Sequence, residues 1–249
     1  MGDTFDAKEA EQQGLHDLLA SVQAVLFDFD GPVCDLFGGR STVGIANEIK
    51  DKARGVWGRL DKDVEDCTDS HGVLQCLRDM YDRSDPRSRS REPLDLAEGI
   101  VAREELHAAG RASSAPGVVE LLRLLKGAGK RLVVVTNNAP GPVRTFLERD
   151  GFRQGFEAVF GRDPYDARLM KPDPDCVQRA LGHLRLDGEK CLMVGDHLTD
   201  LKAARSVSTC FLGYTQDEKL AAEMKQNGAH EVVASHAPVI EAAKLLPSV

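Results

Sequence analysis

Ala24-Val25-Leu26-Phe27-Asp28-Phe29-Asp30-Gly31-Pro32 decides how this chain is read. The apolar run predicts a buried strand, and it stops at two carboxylates one residue apart, followed at once by a Gly-Pro turn. Alternation along a strand puts Asp28 and Asp30 on one side, with Phe27 and Phe29 on the other. Charged groups taken out of water need a partner or a metal. Two aligned carboxylates at a strand's carboxyl end make a hard, oxygen-rich site suited to Mg²⁺. Taken alone, the pair fits equally well a strand exit at which Asp opens a turn.

The bulk composition narrows the classes. The chain has 249 residues, 42% hydrophobic and 29% charged, enough for one large domain or a main domain with a smaller one. A formal net charge of −8 argues against a general affinity for nucleic acid or anionic membrane. The polar, acidic start Met1-Gly2-Asp3-Thr4-Phe5-Asp6 lacks the basic and apolar regions of a secretory signal, and no apolar run reaches spanning length. The six cysteines are scattered without a CxxC pair, several of them inside apolar segments. A cytoplasmic protein with reduced thiols is the simplest expectation.

Further along, residues 7–22 predict an amphipathic helix leading into the first strand. From about Cys34 to Ser113 no strand signal occurs, and apolar residues fall into three helical patterns, around Val43–Trp57, Val73–Met80 and Leu94–Leu106. This stretch is expected to be a small helical insert. Between its second and third pieces, Arg83, Arg87, Arg89 and Arg91 can contact an anionic substrate or simply form a solvated loop. From Pro116 onward strands alternate with helices: Arg131–Thr136, Ala158–Phe160, Lys190–Asp196, Thr209–Gly213 and Glu231–Val233 are the strand segments. Continuously apolar strands alternating with helices predict a parallel sheet covered on both faces.

In such a sheet, function gathers at the carboxyl ends of strands. Asp28 and Asp30, Thr136 and Asn137, and Asp196 stand there, and Lys171 precedes a helix. Together they supply the parts of a phosphoryl transfer. Asp28 can be the nucleophile that forms an aspartyl-phosphate, and Asp30 the acid for the leaving group and the base for water. The Thr136 hydroxyl and Asn137 backbone amide can hold phosphoryl oxygens, and Lys171 can offset charge. Asp196 can bind metal, and Asp200, one helical turn on, can orient Lys171 or a water on the metal. Singly, each has an ordinary reading as a strand end, a surface lysine, a turn or a helix-start acid. Their joint occurrence in this order is what carries weight.

Asp28-Phe29-Asp30-Gly31, the strand ending in Thr136, Lys171-Pro172-Asp173-Pro174 and Gly195-Asp196-His197-Leu198-Thr199-Asp200 resemble the four motifs of the haloacid dehalogenase superfamily, with closest likeness to its phosphoglycolate phosphatase-like members. The resemblance covers nearly the whole chain. It implies an α/β, Rossmann-like parallel-sheet core over residues 1–33 and 113–249, with a small α-helical cap inserted at residues 34–112. It also implies Mg²⁺ held by Asp28, the Asp30 backbone carbonyl and Asp196, and a cap that closes over the site and selects a small phosphorylated metabolite. An acid at the Asp30 position favours phosphate-ester hydrolysis, or phosphoryl transfer between sugar hydroxyls as in a phosphomutase of the β-phosphoglucomutase type. A catalytically silent binding protein is a third reading, disfavoured because Asp28, Asp30, Lys171 and Asp196 are all present. Two positions depart from the pattern: Pro32 removes a backbone donor from the first turn, and His197 follows Asp196 where a smaller residue is common. Mg²⁺ prefers oxygen, so His197 is not expected to be a ligand. Asp35 and Arg40 join the arginine loop as candidate substrate contacts.

Overall fold

Parallel strands need covering crossovers, and the alternation along this chain supplies them. The structure, a computed structural model, describes residues 3–83 and 89–248. Helix α1 (Asp3–Ser21) leads into β1 (Ala24–Phe27). Then come β2 (Cys34–Asp35), α2 (Val43–Trp57), α3 (Lys62–Asp66), α4 (Ser70–Asp82), α5 (Glu92–Ala109) and β3 (Ser113–Ser114). Next are α6 (Val118–Gly127), β4 (Arg131–Val135), α7 (Pro140–Arg149), β5 (Ala158–Phe160) and α8 (Asp175–Leu184). The chain closes with β6 (Cys191–Gly195), α9 (Leu198–Ser206), β7 (Cys210–Tyr214), α10 (Glu218–Gln226), β8 (Glu231–Val233) and α11 (Ala237–Lys244). This is the expected α/β, Rossmann-like arrangement.

The large sheet has the order β5-β4-β1-β6-β7-β8, and every neighbouring pair is parallel. Its side chains alternate between two apolar layers, as strand geometry requires. Val25, Phe27, Leu132, Val134, Leu192 and Val194 meet apolar residues of α1, α6, α7 and α11 on one face. Ala24, Leu26, Val133, Val135, Met193 and Phe211 meet α8, α9 and α10 on the other. Asp28 continues the alternation of Ala24 and Leu26, which aims it toward the α8–α9 side.

Register then places the polar ends together. Phe27 lies opposite Val134 on one side and Val194 on the other. Asp28, Thr136 and Asp196 therefore leave the sheet within one or two residues of a common row. Gly31 turns the chain away with φ +100, and a Cβ there would lie 2.5 Å from Asp196 Oδ2. Only glycine tolerates both the conformation and the approach.

Between β1 and β4 the chain builds a third apolar cluster of its own, including Ala46, Ile49, Val64, Val73, Leu77, Met80, Ala97 and Val101, with Met170 packed in from beyond β5. Two features of this segment differ from the sequence expectation. Helix α3 forms although Val64 is its one buried residue, too little for an apolar period to register. The segment also departs and returns through β2 and β3, which pair antiparallel, Cys34 with Ser114 and Asp35 with Ser113. Two-residue strands leave no alternation to read. Among the described residues, no helix is long and apolar enough to cross a membrane.

Phe29 is fully buried and meets Phe146 edge to face, with centroids 5.2 Å apart. Phe29→Ala is expected to lower the unfolding free energy by about 3–5 kcal/mol in urea titration. Val119→Ala, on a residue 62% exposed, should change it by less than about 0.5 kcal/mol.

Candidate active site

The row of strand ends forms the floor of a chamber of about 430 Å³, and the first turn of α4 forms a wall. Asp28, Asp30, Thr136, Asn137, Lys171, Asp196 and Asp200 all line it, so every residue singled out for chemistry from the sequence is brought to one place.

Lys171 ties the floor together. Its Nζ lies 2.9 Å from Asp28 Oδ1 and 2.6 Å from Asp200 Oδ1, and donates to the Val135 carbonyl at 3.3 Å. The backbone on either side is fixed by Asn137, whose Oδ1 accepts from Lys171 N–H at 2.8 Å and whose Nδ2 donates to the Lys171 carbonyl at 3.2 Å. Burial would discharge this ammonium, but Asp200 and Asp28 outweigh it and hold its pKa above the usual lysine range.

Asp200 has both oxygens committed. Oδ1 meets Lys171, and Oδ2 accepts from His197 N–H at 3.0 Å. His197 in turn caps α9, its Nδ1 accepting from Thr199 N–H at 3.3 Å. The structure thus gives His197 a capping role. Gly195 fits because a Cβ there would lie 2.6 Å from Asp200 Cβ.

Asp28 Oδ1 also accepts from Phe29 N–H at 2.7 Å, and Asp30 Oδ1 accepts from Leu36 N–H at 2.8 Å. The Thr136 hydroxyl donates to Asn138 Oδ1 at 2.9 Å. Pro32 has lost a donor, but its carbonyl accepts from the buried His236 Nε2 at 2.7 Å, which pins the turn to the start of α11.

The acids outnumber their cation. Burial, with the charge of Asp200 and against the pull of Lys171, pushes Asp28 up to about 7. Burial and the charges of Asp28, Asp200 and Asp30 push Asp196 up to about 8. Oxygens of Asp28, Asp196 and Asp200 lie within 4.8 Å of one another. An all-oxygen cluster short of positive charge fits a hard divalent cation. With Asp200 engaged elsewhere, Asp28 and Asp196 have the freer oxygens.

A second buried cluster had no counterpart among the sequence candidates. Glu105 on α5 and Arg162 after β5 have fully buried side chains. Arg162 donates to both oxygens of Glu98 at 2.8 and 2.9 Å, to Glu105 Oε1 at 2.9 Å and to the Asn137 carbonyl at 2.7 Å. Glu105 also accepts from Asn138 Nδ2 at 3.0 Å and Ala139 N–H at 2.9 Å, and meets His71 Nε2 at 2.9 Å. This knot binds α4 and α5 to the loop after β4. Arg162 follows a strand's carboxyl end, the one signal that marked it; Glu105 carried none.

Of the arginine stretch, Arg83, Arg89 and Arg91 do not line the chamber. Arg83 pairs with Asp61 and Asp63, Arg89 covers the Trp57 ring, and Arg91 donates to the Tyr165 carbonyl. Arg87 falls outside the described residues. Asp35 and Arg40 line a neighbouring cleft that shares only Asp30 and Asp196 with the chamber.

The chain matches the haloacid dehalogenase-like hydrolase family over residues 22–208. It belongs to that family. It is 39% identical over 95 residues to a phosphoglycolate phosphatase of Rhodospirillum rubrum, covering 38% of this chain and 39% of that one. It is 36% identical over 92 residues to the pyrophosphatase PpaX of Bacillus velezensis, covering 37% and 42% respectively. The matched stretches thus span about two fifths of these relatives' length. A predicted phosphatase from Clostridium acetobutylicum shares the fold, with a TM-score of 0.62 and 21% identity over 89% of this chain and 98% of that one.

Two outcomes follow from the charges. Asp28 and Asp196 sit above their ordinary 3.8 in the folded protein, so the folded state holds more protons than the unfolded one. Metal-free protein should lose stability as pH rises from about 4 through 7 to 8, and Mg²⁺ at a hundredfold excess over its Kd should restore about 2.7 kcal/mol, roughly 5–10 °C in Tm. Thermal melts across pH, with and without Mg²⁺ and in Asp196→Asn, check this; a metal response undiminished in the variant places the cation elsewhere. Glu105 runs the other way: burial raises it, but His71 and Arg162 prevail and lower it to about 2 from 4.5. Its stabilisation is present above pH 4.5 and lost as pH falls toward 2. Glu105→Ala should cost about 3–5 kcal/mol at neutral pH, because it leaves buried Arg162 with Glu98 as its one carboxylate partner and the Asn138 side chain and Ala139 amide without their acceptor. Urea titrations at neutral pH and near pH 3 should show that cost shrinking with acid.

Proposed function

We propose that this chain is a Mg²⁺-dependent phosphomonoesterase that works through an aspartyl-phosphate on Asp28. The observation that carries the reading is Lys171 held between Asp28 and Asp200 beneath an oxygen cluster. That arrangement keeps one buried carboxylate oriented for attack and leaves positive charge at the place a phosphate must sit. Asp28, Asp196 and the Asp30 carbonyl are the proposed metal donors. When bound, Mg²⁺ supplies the charge that keeps the acids ionised and offsets that of the phosphate.

The chain's own residues then divide the work. The phosphate is received by Lys171, the Asn137 backbone and the Thr136 hydroxyl, which turns from Asn138 to a phosphoryl oxygen. Oδ1 of Asp28 is occupied by Phe29 N–H and Lys171, so its other oxygen attacks phosphorus as the ester P–O bond breaks. Asp30 gives its proton to the departing alkoxide. Burial raises the Asp30 pKa, only partly offset by the bond from Leu36 N–H, which suits a group that must begin protonated. Asp30 then takes a proton from water, whose oxygen displaces Asp28 from phosphorus, and both acids return to their starting state. Residues 34–112 are proposed to be the cap, with the antiparallel pair β2–β3 as its attachment to the core.

Release of phosphate from p-nitrophenyl phosphate tests the reading. Wild type with Mg²⁺ should turn over, chelation should abolish it, and Asp28→Asn should give background alone. Asp30→Asn should lower kcat by about 10²–10⁴. Full activity in Asp28→Asn would remove the nucleophile assignment.

A further inference from the structure

One wall of the chamber is built from the first two turns of α4, where Asp69, His71 and Gln75 line it; in the phosphatase reading it is the wall left to the leaving group. Among the described residues Lys171 is the one lysine or arginine lining the chamber, and it is already shared between Asp28 and Asp200. The other described arginines nearby are engaged away from the chamber. Helix α4 spans Ser70–Asp82, ~20 Å at ~1.5 Å per residue, and Arg83 and Arg91 are paired beyond its far end with Asp61, Asp63 and Asp95. Arg162 is close to His71 but fully buried and satisfied by Glu98 and Glu105. Arg40, in the neighbouring cleft, is held by the Phe37 carbonyl beside Asp35.

His71 adds no surplus charge. Were it protonated, it and Arg162 would be balanced by Glu98 and Glu105, and Asp69 would leave this wall negative. Its hydrogen bonding is also constrained. Arg162 Nη1 spends its two protons on Glu105 Oε1 and the Asn137 carbonyl, so Nε2 of His71 donates to Glu105 Oε1, 2.9 Å away. A hydroxyl can donate to the Asp69 carboxylate or to the Gln75 amide oxygen, whereas a carboxylate or second phosphate has no proton to give. Gln75 serves a hydroxyl as donor or acceptor alike.

We propose that the chain selects monophosphate esters of uncharged, hydroxyl-bearing alcohols and discriminates against substrates with a second acidic group, phosphoglycolate included. The inference rests on the phosphatase reading above and sharpens it: Asp69, His71 and Gln75 determine specificity. It sets this chain apart from the activity named for its Rhodospirillum rubrum relative.

Matched pairs test it. 2-Hydroxyethyl phosphate and 2-phosphoglycolate differ only in a hydroxymethyl group against a carboxylate; glycerol 3-phosphate and 3-phosphoglycerate differ in the same way. With the full chain and Mg²⁺, kcat/KM should favour the alcohol at least tenfold in each pair. Gln75→Lys, which adds a cation to the wall, should narrow that ratio about tenfold by improving turnover of the acids. Acids hydrolysed as well as the alcohols, alcohols left intact while p-nitrophenyl phosphate is cleaved, or a ratio unmoved by Gln75→Lys would each overturn the inference and leave the phosphatase standing. Inertness toward every ester, p-nitrophenyl phosphate included, overturns both.

Discussion

The bridge from Asp28 through the Lys171 ammonium to Asp200 is the constraint on which the rest of the site depends. A parallel sheet brings the carboxyl ends of β1, β4 and β6 side by side, and this chain loads two of them with acids. Without a cation among them, buried carboxylates at such spacing would take up protons or push the strand ends apart. Lys171 removes part of that repulsion, and Asn137 holds the lysine backbone on both sides. One lysine among Asp28, Asp196 and Asp200 still leaves a deficit. That deficit is a physical demand for a second cation, and it exists before any substrate arrives.

A second constraint ties the four inserted helices to this floor. Glu105 reaches from α5 to the Asn138 side chain and the Ala139 amide, and Arg162 reaches from behind β5 to Glu98, Glu105 and the Asn137 carbonyl. The loop that presents Thr136 and Asn137 is thus fixed on one side by the sheet and on the other by the inserted helices. Burying so much charge is costly unless each partner is satisfied. Here the geometry satisfies them with two-pronged guanidinium contacts and backbone groups. The placement of α4 over the chamber follows from the same knot, because His71 is one of its members.

The sheet and the chemical floor were legible in the sequence because both are local signals. Apolar runs such as Leu132-Val133-Val134-Val135 announce strands, and an acid, threonine or asparagine immediately after one announces a strand end. Glu105 and Arg162 were not legible, since they lie 57 positions apart and in isolation each looks like a surface charge. His236, which takes up the Pro32 carbonyl from 204 residues away, escaped for the same reason. Arg83, Arg89 and Arg91, candidates from sequence, do not line the chamber: charge in a loop is visible in sequence, but its position relative to a cavity is not. Helix α3 lacked the apolar period on which helix reading depends.

In the proposed reading, chemistry and selectivity occupy different kinds of structure in this chain, and that separates what each can tolerate. The proposed reacting groups stand at the ends of adjacent strands of one sheet, where a shift of a residue would move Asp28 off the Lys171–Asp200 bridge and bring a residue with a Cβ to the place where Gly31 passes Asp196. The proposed leaving-group wall stands on the first two turns of α4, within a segment whose apolar cluster is largely its own. Side chains at positions such as Gln75 can therefore change what the wall recognises without touching the strand ends. The limit on that freedom is His71, whose bond to Glu105 makes it part of the knot that also fixes the loop after β4. A substitution there acts on the wall and the floor together, so selectivity is free to vary at Gln75 and constrained at His71.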